Sequence, residues 1–140
     1  MAGDVSVLPL IDCDLDVRLF WDLAVAEHKK MDKFAWDESS VFLHLSPSQE
    51  QGGYTKGHDL RQELAGLPVL NAKVLEYLLV HPELIPDSWK GKKVYFWGTI
   101  YQVDDKLLVR CLYFQGGLWQ CDVRYLDYCW HDDCPAIVLG

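Results

Sequence analysis

The chain has 140 residues, 50% hydrophobic and 24% charged, with a formal net charge of −8. That composition excludes an intrinsically disordered chain and suits one domain with its own core, residues 1–140. The negative balance disfavours direct nucleic-acid binding, which needs Lys and Arg to displace counterions. It is compatible with a basic protein partner.

No stretch reaches the roughly 20 apolar residues of a membrane span, and the N-terminus MAGDVSVLPLIDCD carries no basic leader. Five cysteines without such a leader favour reduced thiols in the cytoplasm.

In chain order, Val5–Leu10 reads as a short strand or an extended lead-in. Asp12 or Asp14 can cap a helix running from Leu15 to about Met31, with Leu19, Leu23 and Ala26 on one face and Lys29 and Lys30 near its end. Asp12, Asp14, Asp16 and Asp22 also form a negative run. Such a run is a candidate interaction surface for a basic partner, as in acidic inhibitor proteins of mobile-element origin that imitate nucleic-acid phosphates. Capping and solvation of one helix explain the same residues.

SVFLHL, Ser40–Leu45, reads as a strand. Ser46–Gly57 is the longest loop signal, and His58–Ala65 suits a short helix ending at Gly66. Asn71 caps the clearest helix, AKVLEYLLV, which Pro82 ends. Glu83–Gly91 is turn-rich, and Ala136–Leu139 suits a last strand.

Lys93–Tyr125 organises the rest. Val94–Val103, Lys106–Phe114 and Leu118–Tyr125 are rich in β-branched and aromatic residues. Asp104-Asp105 and Gly116-Gly117 separate them as two-residue turns. This spacing predicts a three-stranded antiparallel meander. Its register sets Tyr101 against Leu108, Tyr95 against Phe114, Leu112 against Cys121 and Phe114 against Trp119. Side chains alternate faces, so Tyr95, Trp97 and Tyr101 share one face with Arg110. That face is too apolar for water. The expected fold is therefore α+β: a mainly antiparallel sheet centred on the meander (about 93–125), with two principal helices packed on one face.

HPELIPDSWKGKKVYFWGTIY, followed by LLVRCLYFQGGLW, resembles a signature of small uncharacterised bacterial proteins over roughly Leu67–Trp119. The resemblance implies a soluble intracellular protein. It supplies no activity and no catalytic residue.

Three further groups have the residue types for chemistry. Cys121, Cys129, His131 and Cys134 offer four zinc-type ligands. Their order, C-x7-C-x-H-x2-C, lacks the usual paired spacing, and cysteines also serve as small hydrophobes. His58-Asp59 can ligate a metal or act as an acid–base pair, with Arg61 and Glu63 nearby. A solvated helix start accounts for them equally. Tyr95, Trp97, Tyr101 and Arg110 form a ligand face if exposed; in a core, Arg110 needs a carboxylate or carbonyl partner. No nucleophile elbow or Gly-rich phosphate loop is present. These features favour a non-enzymatic interaction or regulatory protein, then a zinc-stabilised binding module, then a small hydrolytic enzyme. No catalytic residue is assigned, and zinc is the one cofactor considered.

Overall fold

The structure, a computed structural model, describes residues 10–11, 23–31 and 34–140. The acidic run Asp12, Asp14, Asp16 and Asp22, most of the lead-in strand, and the first part of the expected helix lie outside the described residues.

In chain order the strands are β1 (Leu10–Ile11), β2 (Ala24–His28), β3 (Phe34–Ala35), β4 (Val41–His44), β5 (Thr55–Lys56), β6 (Val94–Tyr95), β7 (Thr99–Val103), β8 (Lys106–Gln115), β9 (Leu118–Tyr125), β10 (Cys129–Trp130) and β11 (Ala136–Leu139). The α-helices are α1 (Pro47–Glu50), α2 (Gly57–Leu64) and α3 (Ala72–Val80). The chain is α+β. Its main sheet runs β2-β7-β8-β6-β11-β4, with β9 on the far side of β8. Among the described residues its pairings are antiparallel, apart from β6 with β11. Two small pairs, β1–β3 and β5–β10, lie beside it.

The β8–β9 hairpin has the expected register, with Leu112 opposite Cys121 and Phe114 opposite Trp119. Gly116 and Gly117 sit at φ 65° and 80°, the double positive φ that a type I′ turn requires. Asp104 supplies the positive φ, 53°, of the β7–β8 turn.

The strand before it departs from expectation. Val94–Val103 is two strands, β6 and β7, interrupted at residues 96–98. Tyr101 still faces Leu108. Tyr95, however, faces Cys111 rather than Phe114, a displacement of three residues. An odd displacement inverts the faces, so Tyr95 and Trp97 pack on the opposite side of the sheet from Tyr101. The interruption is made by the chain before α3. Gly98 N–H donates to the Leu70 carbonyl at 2.9 Å, and the Ala72 N–H donates to Thr99 Oγ1 at 2.9 Å.

The two principal helices do not share a face. α3 buries Val74, Leu75 and Leu78 against Val94, Leu112 and Ile137. α2 buries Leu60 and Leu64, an i, i+4 pair, on the side of Tyr95, Cys111, Ala136 and Val138. Neighbours along a strand point oppositely, so 94 and 95, 111 and 112, and 136 and 137 divide between the two cores. A sheet this apolar on both faces needs cover on both.

The expected Leu15–Met31 helix is also corrected, over the part that is described: Ala24–His28 is strand β2, paired with β7. AVAEH has no alternation to mark it as a strand. The open edge of β7 decides its conformation, because helix propensity is a weak prior that tertiary pairing overrides. Lys29 closes no helix; its N–H donates to the Gly98 carbonyl at 2.6 Å.

α3 starts where expected, with Asn71 Oδ1 accepting from the Lys73 N–H at 3.0 Å. The Ser46–Gly57 stretch is more ordered than its composition suggests. Ser46 and Gln49 form a reciprocal capping box around α1. Fully buried Gln49 then donates through Nε2 to the carbonyls of His131 and Cys134, at 2.8 and 3.2 Å, and so fixes the C-terminal loop.

Candidate functional site

A cleft of about 420 Å³ lies between α2 and the β2–β7 edge. Its floor is apolar: Leu64, Val69, Trp97 and Ile100. Its walls are charged. His58 and Arg61 come from α2, Glu27 and Lys29 from the end of β2.

Local sequence explains each placement. α2 lies close against the turn after β9 because it begins at Gly57. A Cβ there would stand 2.5 Å from the Leu126 Cα and 2.8 Å from Trp130 Nε1. With Leu60 and Leu64 turned inward, His58 and Arg61, three residues apart, follow one another along the open side of the helix. Glu27 is aimed by a bulge: Val25 opposes Tyr101, but Glu27 opposes Ile100, leaving Ala26 as the extra residue. Bulges re-aim side chains in this way.

The walls are linked by hydrogen bonds. Arg61 Nη2 donates to Glu27 Oε2 at 2.7 Å. Lys29 Nζ donates to the Leu67 carbonyl at 2.9 Å. His58 Nε2 meets Asp127 Oδ1 at 2.7 Å, and Lys106 Nζ donates to Asp127 Oδ2 at 2.7 Å. The hydrogen bond from Lys106, and then that from His58, holds the Asp127 carboxyl below its ordinary value. The Asp127 bond and its charge raise the Lys106 ammonium in turn.

Beneath the cleft, Trp97 and Trp130 pack with ring centroids 5.0 Å apart. Both indole Nε1 atoms are buried and without a hydrogen-bond partner among the described residues. Two unsatisfied donors beside one cleft are uncommon, since most buried polar groups are paired.

The sequence candidates fall as follows. Tyr95 and Trp97 are buried on the α2 side, Tyr101 and Arg110 on the α3 side, so the four do not make one face. Burial pushes the phenols of Tyr95 and Tyr101 above the ordinary range. Arg110 has the carboxylate that its burial demands: Nη1 donates to Glu76 Oε2 at 3.1 Å and to Tyr101 Oη at 3.3 Å. Of the zinc-type residues, Cys121 packs on the α3 side and receives a contact from Arg110 Nη2 at 3.6 Å. Cys134 is buried in the other core, where its thiol donates to Asp133 Oδ1 at 3.2 Å. Cys129 is half-buried on β10 and His131 exposed beyond it. The structure does not gather these four, and no group of three metal-ligating side chains is arranged for an ion among the described residues. Of His58-Asp59, only His58 joins the cleft.

The residues that sequence reasoning missed are Glu27, Lys29, Lys106 and Asp127. Arg61 had a signal, its helical spacing from His58. Glu27 had none, because it lay inside an expected helix. No described helix is long and apolar enough to cross a membrane. Compared with models of protein families, with curated proteins and with solved structures, the chain has no match.

Proposed function

We propose that this protein is a non-enzymatic interaction or regulatory protein that recognises a small ligand in the cleft beside α2. One observation carries the reading: charged groups from two separate elements converge over an apolar floor of suitable size. Small-molecule sites are apolar concavities with a few placed polar groups, commonly 300–1,000 Å³. The lining supplies charges and an aromatic surface rather than a hydroxyl or thiol nucleophile, which favours recognition over covalent catalysis. The acidic balance of the chain adds a basic protein as the partner whose engagement ligand binding would regulate.

A second reading, a small acid–base enzyme, has the His58–Asp127 pair in its favour, because a carboxylate orients an imidazole for proton transfer.

The test is a titration of the ¹⁵N-labelled full chain with phenol, benzylamine and benzoate, followed at the Trp97 indole N–H and the α2 amides. At least one probe should give saturable shifts, which Ala65→Trp, filling the cleft from its exposed wall, should abolish. Absence of saturable shifts with all three probes ends the binding reading.

A further inference from the structure

We propose that the ligand of this cleft is a small organic carboxylate with an apolar body, and that the Glu27 carboxylate holds the position on Arg61 that the ligand's carboxylate takes. The proposal rests on the binding reading above and names its ligand class.

The charge in the cleft runs against that of the whole chain. In a protein of net charge −8, its walls bring two fixed cations, Lys29 and Arg61, against one carboxylate, Glu27, while His58 is engaged by Asp127 at 2.7 Å. An anion is the ligand such a balance selects, and the low-dielectric floor strengthens the attraction. Arg61 is suited to the task, because a guanidinium presents a planar fork of donors that matches a carboxylate. Glu27 engages it through one nitrogen only. Lys29 lies on the same wall, and an ammonium has three donors, of which the Leu67 carbonyl takes one.

Glu27 shows where a carboxylate sits. Its oxygen lies 2.7 Å from Nη2 in the geometry of a charge-assisted hydrogen bond. The Glu27 side chain is 56% exposed and that of Arg61 38% exposed. Exposed pairs of this kind are weak and exchange readily. A ligand carboxylate can therefore replace Glu27 on Arg61 while its body covers Ile100, Val69 and the edge of Trp97. Glu27 swings to water, where a carboxylate is well solvated. The bulge that aims Glu27 at Arg61 then has a purpose: it puts an internal competitor over the site and sets a threshold for occupancy.

The experiment is calorimetric and NMR titration of the full chain with benzoate, phenol, benzylamine and inorganic phosphate, on the wild type, Arg61→Met and Glu27→Gln. Both substituted side chains are partly exposed, and thermal unfolding checks that each variant is folded. Benzoate should bind in preference to phenol and benzylamine, and more tightly than phosphate, which lacks the apolar body. Arg61→Met should weaken benzoate about ten-fold, the loss of one charge-assisted hydrogen bond. Glu27→Gln should strengthen it about three-fold, by removing an exposed competitor. Equal or tighter binding of phenol or benzylamine overturns the proposal while the cleft stands as a binding site. So does benzoate binding indifferent to Arg61→Met, or weakened by Glu27→Gln. If no probe binds to any of the three proteins, the binding reading fails and this proposal with it.

Discussion

Gly98 passes so close to Asn71 that a Cβ on the glycine would lie 2.8 Å from the Asn71 Cα, Cβ and backbone nitrogen. Three segments meet there. Gly98 N–H donates to Leu70 at 2.9 Å, Lys29 N–H donates to Gly98 at 2.6 Å, and Asn71 Nδ2 donates to the Lys29 carbonyl at 2.9 Å. The start of α3, the end of β2 and the break between β6 and β7 are thus one structural feature.

Gly98→Ala should therefore destabilise the protein by about 1–3 kcal/mol, the usual cost of forcing extra volume against backbone. Urea unfolding of the variant measures it. Gly66→Ala is the control, because a Cβ there meets nothing within 4 Å. An unchanged midpoint for Gly98→Ala would mean that the close approach is not rigid.

Trp97 is 4% exposed and packs on Trp130 beneath the cleft. Trp97→Ala should cost about 3–5 kcal/mol, and Trp97→Phe clearly less, since the ring and most of the apolar contact survive. Chemical denaturation followed by far-ultraviolet circular dichroism separates the two. A loss below about 1 kcal/mol for Trp97→Ala, well under that range, would place the side chain at a surface.

The described cysteines should differ in reactivity. Burial pushes the Cys111 thiol up to about 12 and that of Cys134 up to about 11, with the Asp133 carboxylate adding to the latter. Cys121 and Cys129 are half-buried. Because the thiolate is the reactive form, iodoacetamide at about pH 8 should modify Cys121 and Cys129 at least about ten-fold faster than Cys111 and Cys134. Peptide mapping of the native protein over time reads this out. The linkage has a sign. The folded thiols keep their protons beyond the unfolded value of about 8.5, so their contribution to stability is complete below that value. It is lost as pH rises toward 11–12.

Asp127 has the opposite sign. Its folded value is depressed, so its contribution is present above the unfolded value of about 3.9 and is lost as pH falls through the lower folded value. A carboxyl ¹³C titration of Asp127 should show a midpoint below about 3.9. Lys106→Met should raise that midpoint, because the Lys106 hydrogen bond is the leading cause of the depression. High salt should weaken the effect, since the pair lies at the surface. A midpoint unmoved by Lys106→Met would assign the depression to His58 instead.

How far the chain could be read depended on the reach of the interactions. The β8–β9 register was legible because Gly116-Gly117 sets it locally. The α3 start was legible because Asn71 caps it two residues away. The α1 capping box has a local signal too, S-x-x-Q from Ser46 to Gln49, set inside a loop-like composition. The break at Gly98 was not legible, since its cause is Asn71 on another segment. Nor was β2, whose backbone is ordered by β7 rather than by any pattern in AVAEH. The cleft divides along the same line. His58 was marked by its chemistry and Arg61 by its spacing from it. Glu27, 34 residues before Arg61, and Asp127, 69 residues after His58, were joined to them only by folding.

By itself, then, the sequence determined the fold class, the two-residue turns, the α2 and α3 helices and the strands Val41–His44 and Ala136–Leu139. All of these follow from local periodicity, caps and turn residues. Tertiary structure alone decided that the sheet is covered on both faces, that Tyr95 and Trp97 lie away from Tyr101 and Arg110, and that a charged cleft forms beside α2. A three-residue displacement of one strand inverts every side chain on it, and that displacement is set by steric contact between segments distant in the chain.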